Sequence, residues 1–330
     1  MRLMVGHNRT LALSLWLLCL VAVLPVRSQG FLWWNVENLF DTVDDPRTRD
    51  EDFTPQGTYH WTGKRYWHKL DNVSRTIAAV ADAGNGWPAV IGMCEVENDT
   101  VMRDLCKRSP LRKAGYKYRI THGPDARGVN VALLYRSRDF RLIHCHGIRV
   151  PSAKQRLRPT RDILYATGIV PWLPDTLHLL LVHFPSRAGG GKEGKQNRML
   201  AARTLRHAVD SIQYAPGGGR RLILVMGDFN AEPGDEIFPV LMPELVSLVP
   251  QKKSELSKPI GSYCYKGHWG YLDHVMVSKS MSRYVQQRVN VGRFPFLLDK
   301  KGFPWRTYRG PSYQGGYSDH LPVWVERRPQ

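Results

Sequence analysis

The sequence predicts an α/β (α+β) protein of two packed β-sheets with helices outside them, and three observations carry that reading. Short apolar runs bounded by turn formers recur along the chain and read as buried strands. Some are joined by turns and others by stretches with helical apolar spacing, which argues for two sheets packed together with helices on the outside. No repeat, low-complexity segment or linker divides the chain, so residues 29–330 read as one domain. The 330 residues are 42% hydrophobic, with 10 Trp, 14 Tyr and 10 Phe, which is enough for a sizeable core and excludes global disorder.

The chain opens with Arg2 and Arg9, then an apolar run from Leu11 to Val26 and the small residue Ser28. This pattern predicts a secretory signal peptide over residues 1–28, and hence an exported protein, periplasmic or secreted. The run is short for a membrane anchor, and Cys19 lies inside it rather than at its polar end. No later segment is long and apolar enough to predict a span.

Phe31-Leu-Trp-Trp34 is the first strand, with Asn35 at its end. Asn38 to Trp61, rich in Asp and turn formers, reads as a solvated loop, since its acidic spacing does not match an EF-hand. Tyr66, Leu70, Val73, Ile77 and Val80 predict an amphipathic helix over residues 63–83. Ala89–Cys94 is a second strand ended by Glu95, and a short helix over 101–107 follows. Strands are predicted over 116–120, 129–135, 140–150 and 162–170, the last two joined by a basic loop with Lys154, Arg156, Arg158 and Arg161. Thr176–Val182 is a buried strand ended by His183, followed by a glycine-rich basic loop and a helix from near Lys195. Leu222–Met226 leads into Gly227-Asp-Phe-Asn230, and two late strands are expected over 272–277 and 321–325.

Asn35, Glu95, His183 and Asp228 therefore end strands, while Asp273 and the pair Asp319-His320 begin them. All can share one rim if the last two strands run antiparallel to the others. Asn35, Glu95 and Asp319 offer the oxygens a hard cation prefers, which points to Mg²⁺, with Mn²⁺ or Ca²⁺ as alternatives. Asp273 can fix the tautomer of His320 and stabilise its cation. Asp228 with Asn230 can align or deprotonate a water, and His183 and Asn230 can donate to phosphate oxygens. The absence of a Gly-x-Ser-x-Gly elbow argues against a serine hydrolase, and that of His-Glu-x-x-His or a cysteine pair against zinc. Cys94, Cys106, Cys145 and Cys264 show no metal spacing; Cys94 and Cys145 read as buried free thiols.

The series WNVEN (34–38), GMCEVEN (92–98), GVNVALLYR (128–136), LVHFPS (181–186), GDFNAEP (227–233), GYLDHVMVS (270–278) and YSDHLPVW (317–324) resembles the endonuclease/exonuclease/phosphatase superfamily. The resemblance covers about residues 30 to 326. It implies a four-layer sandwich of two mixed sheets and metal-dependent phosphoester hydrolysis. It also implies that Asn35, Glu95 and Asp319 are metal-site positions, and that His183, Asp228, Asn230, Asp273 and His320 are catalytic.

Substrate class is less determined. The net charge of +18, or +15 without residues 1–28, favours nucleic acid, an anionic membrane surface or phosphorylated substrates. Arg127, Arg187 and Lys192, in loops beside motif strands, are candidate phosphate contacts. Arg293–Arg309 interleaves aromatics with cations, either as a substrate wall or as a packed loop. A nuclease is the leading expectation. The alternatives are a sphingomyelinase-like or other lipid or small-molecule phosphoesterase, and a non-catalytic binding protein on the same scaffold.

Overall fold

A computed structural model describes residues 30–151, 159–187, 191–217, 219–250 and 261–329. The expected signal peptide and Lys154, Arg156 and Arg158 of the basic loop lie outside them. The elements in chain order are β1 (Gly30–Leu39), α1 (Gly63–Ala83), β2 (Val90–Val96), α2 (Asp99–Lys107), β3 (Lys117–Ile120), β4 (Asn130–Tyr135), β5 (Arg141–Ile148), β6 (Ile163–Ile169), β7 (Leu177–His183), α3 (Gly191–Gln213) and β8 (Leu222–Asp228). There follow β9 (Leu245–Ser247), β10 (Tyr263–Tyr265), β11 (His268–Gly270), β12 (Asp273–Ser278), β13 (Asn290–Val291), β14 (Tyr308–Arg309), β15 (Ser312–Tyr313) and β16 (Val323–Glu326).

Two six-stranded sheets form, in the orders β13-β16-β1-β2-β4-β3 and β5-β6-β7-β8-β12-β9. Both are mixed: β1 runs parallel to β2 but antiparallel to β16, and β7 runs parallel to β8, which pairs antiparallel with β12. The late strands thus run as the shared rim requires.

Period-2 alternation divides each central strand between two cores. Phe31, Trp33, Val90 and Leu133 face Leu179, Leu181, Leu224, Met226 and Val275 between the sheets. Leu32, Trp34 and Ile91 pack outward against Leu70, Val73 and Ile77 of α1 and Leu105 of α2. Leu180, Val182, Ile223 and Val225 pack outward against Ala202, Leu205 and Val209 of α3. Helix, sheet, sheet, helix is the resulting layering, and the sheets approach closely at Gly92, where a Cβ would meet Leu181 and Trp33.

Several boundaries shift from the sequence reading, β2 for instance running through Glu95 to Val96, and two of the shifts move candidate site residues into elements of a different kind or register. β1 runs past Asn35 to Leu39, with its pairing to β2 broken between those residues, so Asn35 sits at an irregularity inside the strand. α3 begins at Gly191, so Lys192 lies in a helix rather than a loop. Glycine costs about 1 kcal/mol in a helix interior, yet the helix takes in Gly194 from the stretch read as a glycine-rich loop. The hairpins β10–β11 and β14–β15 were not predicted, being strands of two or three residues with no apolar run.

Candidate active site

The inward parity of the central strands builds the site. Continuing Phe31 and Trp33 by two residues reaches Asn35, continuing Leu179 and Leu181 reaches His183, and continuing Leu224 and Met226 reaches Asp228. Stepping back from Val275 reaches Asp273. Each polar group thus replaces the next inter-sheet core residue at the end where the sandwich opens. Glu95 breaks the alternation through a left-handed backbone, φ 60°. Glu37, Asn38 and Asn230 are also left-handed, so strained residues gather at this rim. Gly227, just before Asp228, lies so near β7 that a Cβ would run into Val182.

Asp228 is the centre of the arrangement and is buried. Its Oδ2 accepts from Asn35 Nδ2 at 3.0 Å and lies 3.8 Å from both His183 Nε2 and His320 Nε2. Its Oδ1 accepts from the Asn230 backbone N–H at 2.8 Å. The Asn230 side-chain amide donates to Phe184 O at 3.0 Å, so it braces the turn. Burial pushes Asp228 up to about 7, reinforced by Asp273 and opposed by His320 and the bonds from Asn230 and Asn35.

The two histidines titrate in opposite directions. Burial alone would lower His320, yet Asp273, Asp228 and Asp319 raise it well above the ordinary histidine value. Its Nδ1 bonds Asp273 Oδ2 at 2.7 Å. The other oxygen, Oδ1, accepts from Trp33 Nε1 at 2.8 Å, so a tryptophan of one sheet holds an aspartate of the other. Burial would raise Asp273, but His320, Ser262 and Trp33 hold it below the usual carboxylate value. His183 is held well below 6.5, by burial first and then by Arg161 and Arg127, and is neutral.

Glu95 and Asp319 complete the rim. Glu95 Oε2 accepts from Asn38 N at 3.0 Å, while Oε1 lies 3.9 Å from both Arg127 and His183. Burial opposes ionisation of Glu95, but Arg127 and the Asn38 N–H keep it low. Asp319 is pushed up to about 6 by burial and by Glu37, against His320 and Arg306. Such crowded carboxylates, all hard oxygen donors, fit a hard divalent cation. Asp228, Asp273 and His320 place ligand atoms within 4.8 Å of one another, as do Cys94, His183 and Asp228, but burial keeps the Cys94 thiol protonated. Asn35 Oδ1 accepts from Glu37 N at 3.0 Å, so its amide as placed braces the loop and Asp228. Cys94, Cys106, Cys145 and Cys264 are free, with Cys94 buried and Cys145 half-buried.

Arg127 and Arg187 border the rim. Arg187 Nε donates to Asn230 O at 2.9 Å and Nη1 pairs with Glu232 at 3.1 Å. Lys192 is exposed in the first turn of α3, with no contact tying it to the rim among the described residues. Much of the segment 293–309 packs the loop: Phe294, Phe296 and Leu298 lie against the outer core, and Arg309 pairs with Asp299. Arg306 instead reaches the rim, bridging Glu37 at 2.9 Å and Asp319 at 3.1 Å. Sequence reasoning missed Trp33, Glu37 and Arg306. Glu37 lies inside the motif WNVEN and could have been found; Trp33 looked like an ordinary core residue.

A family model described as the Endonuclease/Exonuclease/phosphatase family matches residues 31–328. No curated protein matches at a significant level. Among solved structures, a Bacteroides thetaiotaomicron mannosyl-6-phosphatase is 15% identical with TM-score 0.56, covering 92% of this chain and 100% of its own. A humanized D. rerio TDP2 is 14% identical with TM-score 0.54, covering 91% and 99%. The human Nocturnin catalytic domain with bound sulfate is 17% identical with TM-score 0.55, covering 91% and 94%.

Proposed function

We propose that this chain, which belongs to the endonuclease/exonuclease/phosphatase family, is an exported, Mg²⁺-dependent phosphodiesterase that cleaves nucleic-acid backbones. The observation that carries the reaction is Asp228, held by Asn35 and the Asn230 N–H and pushed up to about 7. A carboxylate of that affinity can take a proton from water near neutral pH as the water oxygen attacks phosphorus. The P–O ester bond opposite the attack breaks with its electron pair on the leaving oxygen, which takes a proton from solvent while Asp228 returns the one that it accepted. The His320 imidazolium, fixed by Asp273 and Trp33, faces the developing negative charge, and neutral His183 donates Nε2–H to a phosphate oxygen. Glu95 and Asp319, with Asn35 beside them, would hold the divalent ion, which when bound supplies neutralisation of the phosphate charge.

Nucleic acid is favoured over lipid by the surroundings of the rim. Arg127, Arg187 and Arg306 border it, and the β10–β11 hairpin ends in Tyr265, Lys266 and Gly267 rather than in an apolar tip. Among the described residues no helix is long and apolar enough to cross a membrane. Export is proposed from the N-terminal pattern. The mannosyl-6-phosphatase neighbour keeps a small phosphoester as the second reading.

The test is to incubate purified protein and Mg²⁺ with plasmid DNA, RNA, sphingomyelin and sugar phosphates, beside Asp228→Ala and His320→Ala. Polynucleotide cleavage lost in both variants is expected. Turnover of lipid or sugar phosphate without polynucleotide reverses the substrate ranking, and equal activity in the variants removes the site.

A further inference from the structure

A cavity of about 800 Å³ lies away from the proposed catalytic rim. It lies on the outer face of the second sheet, between β5–β7 and α3. α3 covers the outward residues Leu180, Val182, Ile223 and Val225, but it does not reach across to the β5 edge. There the outward positions carry His146 opposite Tyr165 and, one outward step along β7 from Tyr165's partner Leu180, His178, where a covered sheet would carry aliphatic side chains. Tyr165 and His178 share a hydrogen bond of 2.8 Å, and the ring of His146 meets that of Tyr165 at 5.2 Å. The opposite wall comes from α3.

Charge in this groove is one-sided. Arg149, Arg203 and Arg221 line it and, among the described residues, no Asp or Glu does. Arg149 is paired with Asp162, outside the lining, but Arg203 and Arg221 make no ion pair among the described residues. The field is felt locally: burial lowers His178, Arg221 lowers it further, and Asp175, outside the lining, opposes them more weakly. Apolar surface from Ile148, Pro151, Ala208, Ile212 and Ala215 occupies much of the remaining wall.

We propose that this groove is a second, non-catalytic binding site for an organic anion with an apolar or aromatic body. The volume is that of a pocket for a drug-sized ligand, in which apolar walls supply affinity and a few charges fix orientation. Two unpaired guanidinium groups beside aliphatic walls select an amphiphile over a bare phosphate, which would leave the walls wet, and over a neutral lipid, which would leave the charges unread. The groove does not belong to the rim. Arg221 precedes β8 and Asp228 ends it, so about 20 Å of strand separates them at ~3.3 Å per residue. His178 and His183 likewise sit on opposite faces of β7.

The probe is 8-anilinonaphthalene-1-sulfonate, titrated by fluorescence into the full chain. Saturable binding at one site per chain is expected. It should weaken at least about tenfold in Arg203→Glu/Arg221→Glu and in Ala208→Trp, which obstructs the wall. Neutral N-phenyl-1-naphthylamine should bind at least about tenfold more weakly than the sulfonate. Unchanged thermal unfolding midpoints show that the variants fold, and Arg203→Gln/Arg221→Gln, the milder change, should fall between wild type and reversal. Displacement by dodecanoate assigns an acyl anion, and displacement by naphthalene-2-carboxylate alone an aryl anion. Equal binding by wild type and variants, equal binding of the neutral probe, or displacement only by oligothymidylate, which would make the groove a polynucleotide track, overturns the proposal.

Discussion

The rim proposed to be catalytic and the outer groove share β7, and both gather histidines, yet the two places treat an imidazole differently. At the rim, Asp273, Asp228 and Asp319 surround His320 and raise it far above its ordinary value. In the groove no carboxylate among the described residues lines the cavity, and burial with Arg221 lowers His178 against the weaker pull of Asp175 outside the lining. Within the rim itself His183, lacking a directly bonded acid, follows burial and is lowered too. Burial alone neutralises a histidine, and a bonded carboxylate reverses the sign. The rim therefore carries opposed charges, in keeping with the chemistry proposed for it, whereas the lining of the groove carries charge of one sign and apolar wall among the described residues, in keeping with the binding proposed for it.

The contrast breaks most sharply at Asp228. Asp228→Asn keeps the shape but removes the proton acceptor, and kcat/KM on bis(p-nitrophenyl) phosphate with Mg²⁺ should fall by about 10³-fold or more. A loss under tenfold would place the base elsewhere. His320→Gln removes the imidazolium that the acids sustain, and about 10²- to 10³-fold in kcat is expected. Asp273→Asn should fall in the same range, since the pair acts as a unit.

Trp33 offers a subtler change. Trp33→Phe keeps an aromatic ring in the core, though a smaller one, and deletes the N–H that holds Asp273 Oδ1, leaving His320 bonded to an under-supported acid. About a tenfold fall in kcat with KM unchanged is expected; a change in KM alone would mean that Trp33 acts through packing.

The smallest effect concerns stability. His274 is buried beside Phe229 and Phe238, with its Nε2 2.9 Å from Ala231 O, and burial lowers it to about 4. The unfolded chain, titrating near the ordinary 6.5, then binds more protons than the folded one between those values. Stability is present above about 6.5 and is lost as the pH falls toward about 4. His274→Gln, which cannot charge, should flatten that part of the midpoint-against-pH curve. An unchanged slope would assign the acid sensitivity to other groups.

Much of this was legible in the sequence because strand parity is. Asn35, His183, Asp228 and Asp273 each continue an alternating inward series, so a polar residue at the end of an apolar run announces itself. Glu95 was read as the polar end of an apolar run although its parity is wrong, and the left-handed backbone explains how it reaches the rim. The Arg306 bridge to Glu37 and Asp319 was not legible, since it spans 269 residues between a loop and β1. Lys192 misled because glycines flank it, while the helix begins regardless. The groove gave no signal, since His146, Tyr165 and His178 come from three strands and meet only through register.

The most direct test separates the two regions in one assay. Cleavage of a 5′-labelled oligonucleotide with Mg²⁺ is measured for wild type, Asp228→Asn and Arg203→Glu/Arg221→Glu at equal concentration. Hydrolysis abolished in Asp228→Asn and retained in the groove variant is the predicted result. Hydrolysis retained in Asp228→Asn but lost in the groove variant would contradict the assignment of catalysis to the rim.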